Sequence, residues 1–187
     1  MNLPKLILAS GSPRRSEILS FIGWKFEKQI ADIDETEHIN ELPVDYVKRL
    51  AREKALFIAA KNNDSLVLGA DTTVVIDNKI IGKPVDLENA REMINMLSGK
   101  WHDVLTGVAL VKNSTYMVDV QKTRVKFKEL NREEVEFLVK NGKPLDKAGA
   151  YAVQAQAALF IDKIEGDYWN VVGLPISLVY KMTKNFT

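Results

Sequence analysis

The chain has 187 residues, 46% of them hydrophobic and 27% charged, and its 26 Lys+Arg against 25 Asp+Glu leave a formal net charge of +1. Near-balanced charge disfavours a nucleic-acid partner with its broad basic footprint. The absence of cysteine excludes a disulfide framework, a thiolate metal site and a cysteine nucleophile. No apolar run approaches the roughly 20 residues of a spanning helix, and Leu6 to Ala9 is too short for a signal-peptide core, so no membrane partner and a cytoplasmic location are expected. The length suits a single domain over residues 1–187, with one core or two small lobes sharing a sheet.

In chain order, Leu6 to Ala9 reads as a short apolar strand that runs through Ser10-Gly11-Ser12 into a helix from Pro13 to Phe21. Ser12 suits the N-cap, and Pro13 the first helical position, whose N–H has no intrahelical partner in any case. Arg14 and Arg15 then sit in the first turn, where the helix dipole disfavours cations by roughly 0.3–1 kcal/mol each. Two arginines there either face solvent or await an anion, and a phosphate fits.

A strand at Lys25 to Ile30 precedes the acidic stretch Asp32-Ile33-Asp34-Glu35-Thr36-Glu37, expected as a loop. From Pro43 to about Lys61 the spacing of Val47, Leu50, Ala51, Ala55 and Ile58 predicts an amphipathic helix, with Lys54 inside its apolar face. Such a lysine either snorkels outward or points into a cleft toward an anion. Ser65 to Ile76 reads as a buried strand interrupted by Asp71. Asp77-Asn78 then turns the chain into a hairpin with Lys79 to Ile81, ahead of Gly82-Lys83-Pro84.

Asp86 caps a helix to about Leu97, and strands His102 to Lys112 and Thr115 to Phe127 follow, joined by Asn113-Ser114. Asn131 caps a further helix to about Val139. Ala150 to Ile164 mixes helix-favouring alanines with strand-favouring Tyr151, Val153, Phe160 and Ile161, and a helix from about Ile176 closes the chain. The class is α/β or α+β, with no clean parallel βαβ repeat.

An ionised carboxylate in a buried strand costs several kcal/mol unless it is paired, hydrogen-bonded or metal-bound, so Asp71 needs a partner. Either a structural hydrogen bond supplies it, or a cleft in which the carboxylate holds a divalent cation and takes a proton from water. Glu35, in a loop otherwise expected to be solvated, would complete a hard oxygen site, with substrate phosphates and water in the remaining positions. The P-loop and dinucleotide-binding glycine motifs are absent, as is the Gly-x-Ser-x-Gly elbow. Neither His38 nor His102 has a partner at metal-ligand spacing, so both are expected to be structural or surface residues. Trp24, Trp101 and Trp169, the stacking platforms a single-stranded nucleic-acid binder would use, are read as core.

The order and spacing of Ser10-Gly11-Ser12-Pro13-Arg14-Arg15, Asp34-Glu35, Arg49-Leu50-Ala51-Arg52-Glu53-Lys54-Ala55 and Gly69-Ala70-Asp71-Thr72 are distinctive. With Gly82-Lys83-Pro84, His102-x-Val104-x-Thr106-Gly107-Val108, Asp146-Lys147-Ala148-Gly149-Ala150-Tyr151 and Val171-Val172-Gly173-Leu174-Pro175, they resemble, nearly end to end, the Maf family of nucleotide pyrophosphatases. That family lies in the wider inosine-triphosphatase-like group.

The resemblance implies a bent mixed sheet with flanking helices, two lobes around a central cleft, and hydrolysis of a nucleoside triphosphate to a monophosphate and pyrophosphate. By family pattern, Arg14, Thr72 and Gln154 occupy the positions that select dTTP and UTP. Ser10, Arg14 and Arg15 would hold phosphate oxygens, and Lys54 and Lys83 would add charge where pyrophosphate leaves. Glu35 and Asp71 would hold Mg²⁺ or Mn²⁺, with Asp71, or else Glu35, as base to an in-line water. The family also implies a homodimer and either removal of noncanonical nucleotides or a role in septum formation, the latter open to a nucleotide-binding regulator with little turnover. After Gln154 this chain has Ala155-Gln156-Ala157 where the family carries glycine, so the turn beside the base pocket is expected to differ.

Overall fold

In the computed structural model, which describes residues 5–186, strand β1 (Leu6–Ala9) is buried along its whole length. Its neighbours β2 (Phe26–Gln29) and β3 (Leu66–Ile76) both run parallel to it. Helices α1 (Pro13–Phe21) and α2 (Pro43–Ala59) lie in the two connections. This is a parallel βαβ arrangement, which corrects the expectation from sequence. The signal was missing because β2, Phe-Glu-Lys-Gln, is a short and largely exposed edge strand with no apolar run.

Past its pairing with β1, strand β3 turns at Asp77 and Asn78, both in left-handed backbone at φ 50° and 61°. It returns antiparallel as β4 (Lys79–Ile81), with Val74 opposite Ile81. Helix α3 (Leu87–Leu97) is capped by Asp86, whose Oδ1 accepts from the Asn89 amide at 2.8 Å. Strands β5 (Trp101–Lys112) and β6 (Thr115–Phe127) follow, then α4 (Arg132–Asn141) with a reciprocal Asn131–Glu134 capping box. The ambiguous stretch is neither a long helix nor a long strand. It forms 3-10 turns at Ala148–Ala150 and Gln156–Leu159, then β7 (Ile161–Glu165), antiparallel to β6. Two short helices, α5 (Tyr168–Val172) and α6 (Ile176–Thr183), complete the fold. Hydrogen bonding orders the mixed sheet β2-β1-β3-β5-β6-β7, with β4 on β3.

The chain forms two compact units, and β3, β5 and β6 contribute residues to both. The first takes in the described residues up to Thr72, then Thr106–Gln121 and the chain from Gly173 onward; the second takes in Thr73–Leu105 and Lys122–Val172. In the first unit, Ile7, Ala9, Ala51, Ala55, Ile58, Val67, Ala109 and Val111 form an apolar cluster. Helix α2 lies on the sheet backbone to backbone: a Cβ on Gly69 would meet the Ala51 carbonyl oxygen at 2.2 Å, and one on Gly107 the Val47 oxygen at 2.1 Å.

The second unit packs α3 and α4 with Val74, Val104, Phe127 and Tyr151. His102 is buried there, its Nε2 2.7 Å from the Tyr151 hydroxyl and its ring beside Phe127. Burial pushes this imidazole down to about 4, so it is neutral at pH 7. His38 is exposed. Trp24 is buried, and the Trp101 face carries the Arg124 guanidinium 4.5 Å from its ring centre.

Candidate active site

Side chains alternate along β3, so Gly69 and Asp71 share the face that α2 covers. Because the glycine admits the α2 backbone at Ala51 and Ala55, Lys54 between them is carried over Asp71. The Lys54 ammonium lies 2.6 Å from Asp71 Oδ1 and 2.9 Å from Glu35 Oε1. Lys54 therefore points inward rather than snorkelling, and it is only 8% exposed, as is Asp71. Glu35 is about half exposed, at 48% for its side chain. Burial holds the Asp71 carboxyl above the ordinary carboxylate range; Lys54 and Arg15 oppose that rise and Glu35 adds to it. Two carboxylates and one ammonium thus meet at one place. The ammonium offsets part of the desolvation cost of both carboxylates, which repel each other.

A second set of contacts gathers on Arg15. Its Nε donates to the Gly173 carbonyl at 2.8 Å, one terminal nitrogen to Ser10 Oγ at 3.0 Å and the other to Thr72 Oγ1 at 3.0 Å. Burial lowers its pKa, with Asp71 pulling the other way. Three of the five guanidinium N–H groups are used in this way. The Thr72 hydroxyl also lies 3.0 Å from Thr106 Oγ1 and 3.3 Å from the Gly173 oxygen. Ser10 Oγ accepts a further bond from the Ser12 amide at 3.2 Å, so Ser12 occupies the N-cap position of α1 while its own side chain makes no cap bond. With both lone pairs accepting, the Ser10 hydroxyl proton is left to donate. No acidic residue occupies the first turn of α1, where Arg14 sits partly buried.

The acidic loop is a coil, as expected. Asp34 serves its shape: Oδ1 accepts from the Thr36 amide at 2.9 Å and the Thr36 hydroxyl at 2.6 Å. The structure thus gathers Lys54, Asp71 and Glu35 at one point, and Ser10, Arg15 and Thr72 at another. Lys83 and Gln154 belong to the second unit, both exposed. Lys83 follows β4 in a stretch of coil whose Gly82 carbonyl accepts from the Gly149 amide at 3.0 Å. Gln154 precedes the Gln156–Leu159 turn, where Ala155 is extended at φ −128°, ψ −152°. Alanine is at ease there, so the turn needs no glycine. Among the described residues no group of three or more His, Asp or Glu gathers as a metal site.

A family model described as Maf-like protein matches residues 5–186. The chain belongs to the Maf-like protein family. This Maf-like chain is 44% identical over 185 residues to a dTTP/UTP pyrophosphatase of Bacillus cereus (strain ATCC 10987 / NRS 248), covering 99% of this chain and 91% of the other. It is 45% identical over 185 residues to a protein of the same name from Hahella chejuensis (strain KCTC 2396), covering 97% and 92%. Among solved structures, the Staphylococcus aureus Ham1 protein aligns with a TM-score of 0.54 at 13% identity, over 98% of this chain and 100% of that one. That likeness shows a shared mixed α/β fold.

Sequence reasoning assigned no part in the site to Thr106, Gly173, Tyr46 or Arg49 of this Maf-like chain. Thr106 is fully buried and bonded to Thr72. Gly173 contributes its carbonyl oxygen at a φ of 125°, which favours glycine. Tyr46 donates to the Glu35 carbonyl at 3.2 Å. The available signal was the helical spacing of Tyr46, Arg49 and Lys54 along α2, with Tyr46 and Arg49 on the rim of the face that Lys54 interrupts.

Proposed function

We propose that this Maf-like protein hydrolyses dTTP and UTP to the monophosphate and pyrophosphate in the cytoplasm, where the nucleotide pool lies. One observation carries the reading: Glu35 and the buried Asp71 converge on Lys54 in a chain 44% identical to a named dTTP/UTP pyrophosphatase.

Asp71 is the base. Burial lifts its proton affinity while Lys54 and Arg15 favour its ionised form, the balance that suits a carboxylate taking a proton from water. The water oxygen bonds to the α-phosphorus, its proton passes to Asp71, and the α–β bridging oxygen departs with pyrophosphate. The Ser10 hydroxyl, Arg14 and the N-terminus of α1 hold phosphate oxygens, with Arg15 tying Ser10 to Thr72 and Gly173. Lys54 neutralises charge on the leaving pyrophosphate, and the family pattern gives Lys83 the same part. Arg14, Thr72 and Gln154 select the pyrimidine base, a role that rests on the family pattern.

Glu35 and Asp71 fit a hard divalent cation. Their two carboxylates already converge on one cationic group, and Mg²⁺ or Mn²⁺ is commonly held by one or two carboxylates plus substrate phosphates and water. Such an ion, when bound, supplies charge neutralisation to the phosphates.

Product analysis over dTTP, UTP, CTP, dATP, dGTP and dITP tests the reading. The expected outcome is one pyrophosphate per monophosphate, with dTTP and UTP at least tenfold ahead of the purine nucleotides in kcat/KM. Release of orthophosphate, or equal use of all six, contradicts it.

A further inference from the structure

The loop that carries Glu35 has little apolar hold on the protein. Residues 34–40 are all exposed, and the apolar side chains of its far end, Ile39 and Leu42, are 94% and 65% exposed. Without secondary structure or buried apolar groups, such a segment opens locally at small cost unless polar contacts tie it down. Those contacts come from one stripe of α2. Arg49 grips Glu41 through two parallel bonds, Nε to Oε1 and Nη2 to Oε2, both 2.7 Å, and Nη2 also donates to the Thr36 carbonyl at 3.0 Å. Glu53, one turn on, receives the third nitrogen at 3.3 Å, and the guanidinium lies 5.6 Å from the Tyr46 ring centre.

Glu41 in turn accepts from the His38 amide at 3.1 Å, so the loop is closed on itself as well as on the helix. Tyr46 reaches the Glu35 carbonyl, one turn before Arg49. The Arg49 and Glu41 side chains are only 11% and 8% exposed, a shielded bidentate pair of the kind that gives geometric definition as well as energy.

We infer that Arg49, clamped on Glu41 and Thr36 and aided by Tyr46, is a positioning residue that holds the Glu35 carboxylate beside Lys54 and Asp71. It touches neither substrate nor reacting atoms and acts by fixing the backbone at and just after Glu35. The inference rests on the reading that Glu35 holds the divalent cation. Lysine cannot replace the arginine, because a single ammonium cannot span both Glu41 oxygens and the Thr36 carbonyl.

The test compares wild type with Arg49→Gln, Arg49→Lys, Tyr46→Phe and Glu35→Gln. Amide hydrogen exchange over residues 34–41 is read beside Mn²⁺ binding, followed by the loss of the free Mn²⁺ electron-resonance signal, and the Mn²⁺ dependence of dTTP hydrolysis. In Arg49→Gln the loop amides are expected to exchange at least tenfold faster and the Mn²⁺ half-saturation to rise at least fivefold. kcat at saturating Mn²⁺ should fall less than threefold. Arg49→Lys and Tyr46→Phe, which disturb less of the network, should shift the same quantities part of the way.

Loop exchange at the wild-type rate in Arg49→Gln overturns the inference. So does faster exchange with unchanged Mn²⁺ half-saturation, provided Glu35→Gln raises that value. If Glu35→Gln leaves Mn²⁺ binding untouched, the assignment of Glu35 to the cation fails instead, and the exchange rates alone then decide the clamp.

Discussion

Lys54 meets Asp71 at 2.6 Å because two residues earlier on the same face of β3 there is no side chain at all. A Cβ on Gly69 would stand 2.2 Å from the Ala51 carbonyl oxygen and 2.8 Å from the Ala55 amide nitrogen, both in the backbone of α2, which cannot yield without lifting off the sheet. Gly69→Ala is therefore expected to cost more than about 3 kcal/mol, at or beyond the upper end for overpacking. Gly82→Ala, whose Cβ would meet nothing within 4 Å, should stay within about 0.5 kcal/mol of wild type. Urea unfolding of the two variants checks the contrast.

The acid limb of the pH–rate profile reports Asp71. A base must be ionised, so kcat/KM should fall as Asp71 is protonated, at a pH set by its pKa, which burial raises and a bound cation would lower. Lys54 lowers that pKa and Glu35 raises it. Lys54→Met should then move the acid limb to higher pH and Glu35→Gln to lower pH, apart from their effects on kcat. Profiles of kcat/KM for the three proteins give the signs directly.

Stability should depend on His102 in acid. Its folded-state value of about 4 lies below the unfolded 6.5. Between those values the unfolded chain takes up a proton that the folded chain refuses. The stability is therefore fully present above about pH 6.5 and lost as pH falls toward 4, by about 3 kcal/mol at 1.36 kcal/mol per unit. His102→Gln should flatten this slope, measured by urea unfolding at pH 7, 5.5 and 4.5.

Arg15→Lys is expected to be far from conservative. The guanidinium serves Gly173, Ser10 and Thr72 from one rigid fork, and an ammonium cannot reach all three. KM for dTTP should rise at least tenfold, and stability should fall by roughly 1–3 kcal/mol as buried acceptors lose their donor. Steady-state kinetics and thermal melting together check it.

Much of this was legible along the chain wherever the cause is local. The bounds of β1 and α1, the α2 stripe, the left-handed turn at Asp77-Asn78 and the Asn131 cap all depend on near neighbours. Both Lys54 and Asp71 stood out as polar residues in apolar settings. What could not be read was that each answers the other, since their meeting depends on the glycine beneath α2. Arg15 finds Gly173 and Thr72 at separations of 158 and 57 residues, which no local pattern encodes. Helix α5 was missed for another reason. Its five residues have middling propensity, and the start depends on Asp167, whose Oδ1 accepts from the Trp169 and Asn170 amides at 2.8 and 3.3 Å.

The most direct measurement is pyrophosphate release from dTTP by wild type and by Asp71→Asn, prepared side by side and shown by circular dichroism to be equally folded. The predicted result is stoichiometric release by the wild type and a rate 10²–10⁴-fold lower in the variant, the span typical of a lost general base. Equal rates in the two proteins, or no release by the wild type, would contradict Asp71 as the base of a dTTP-hydrolysing site.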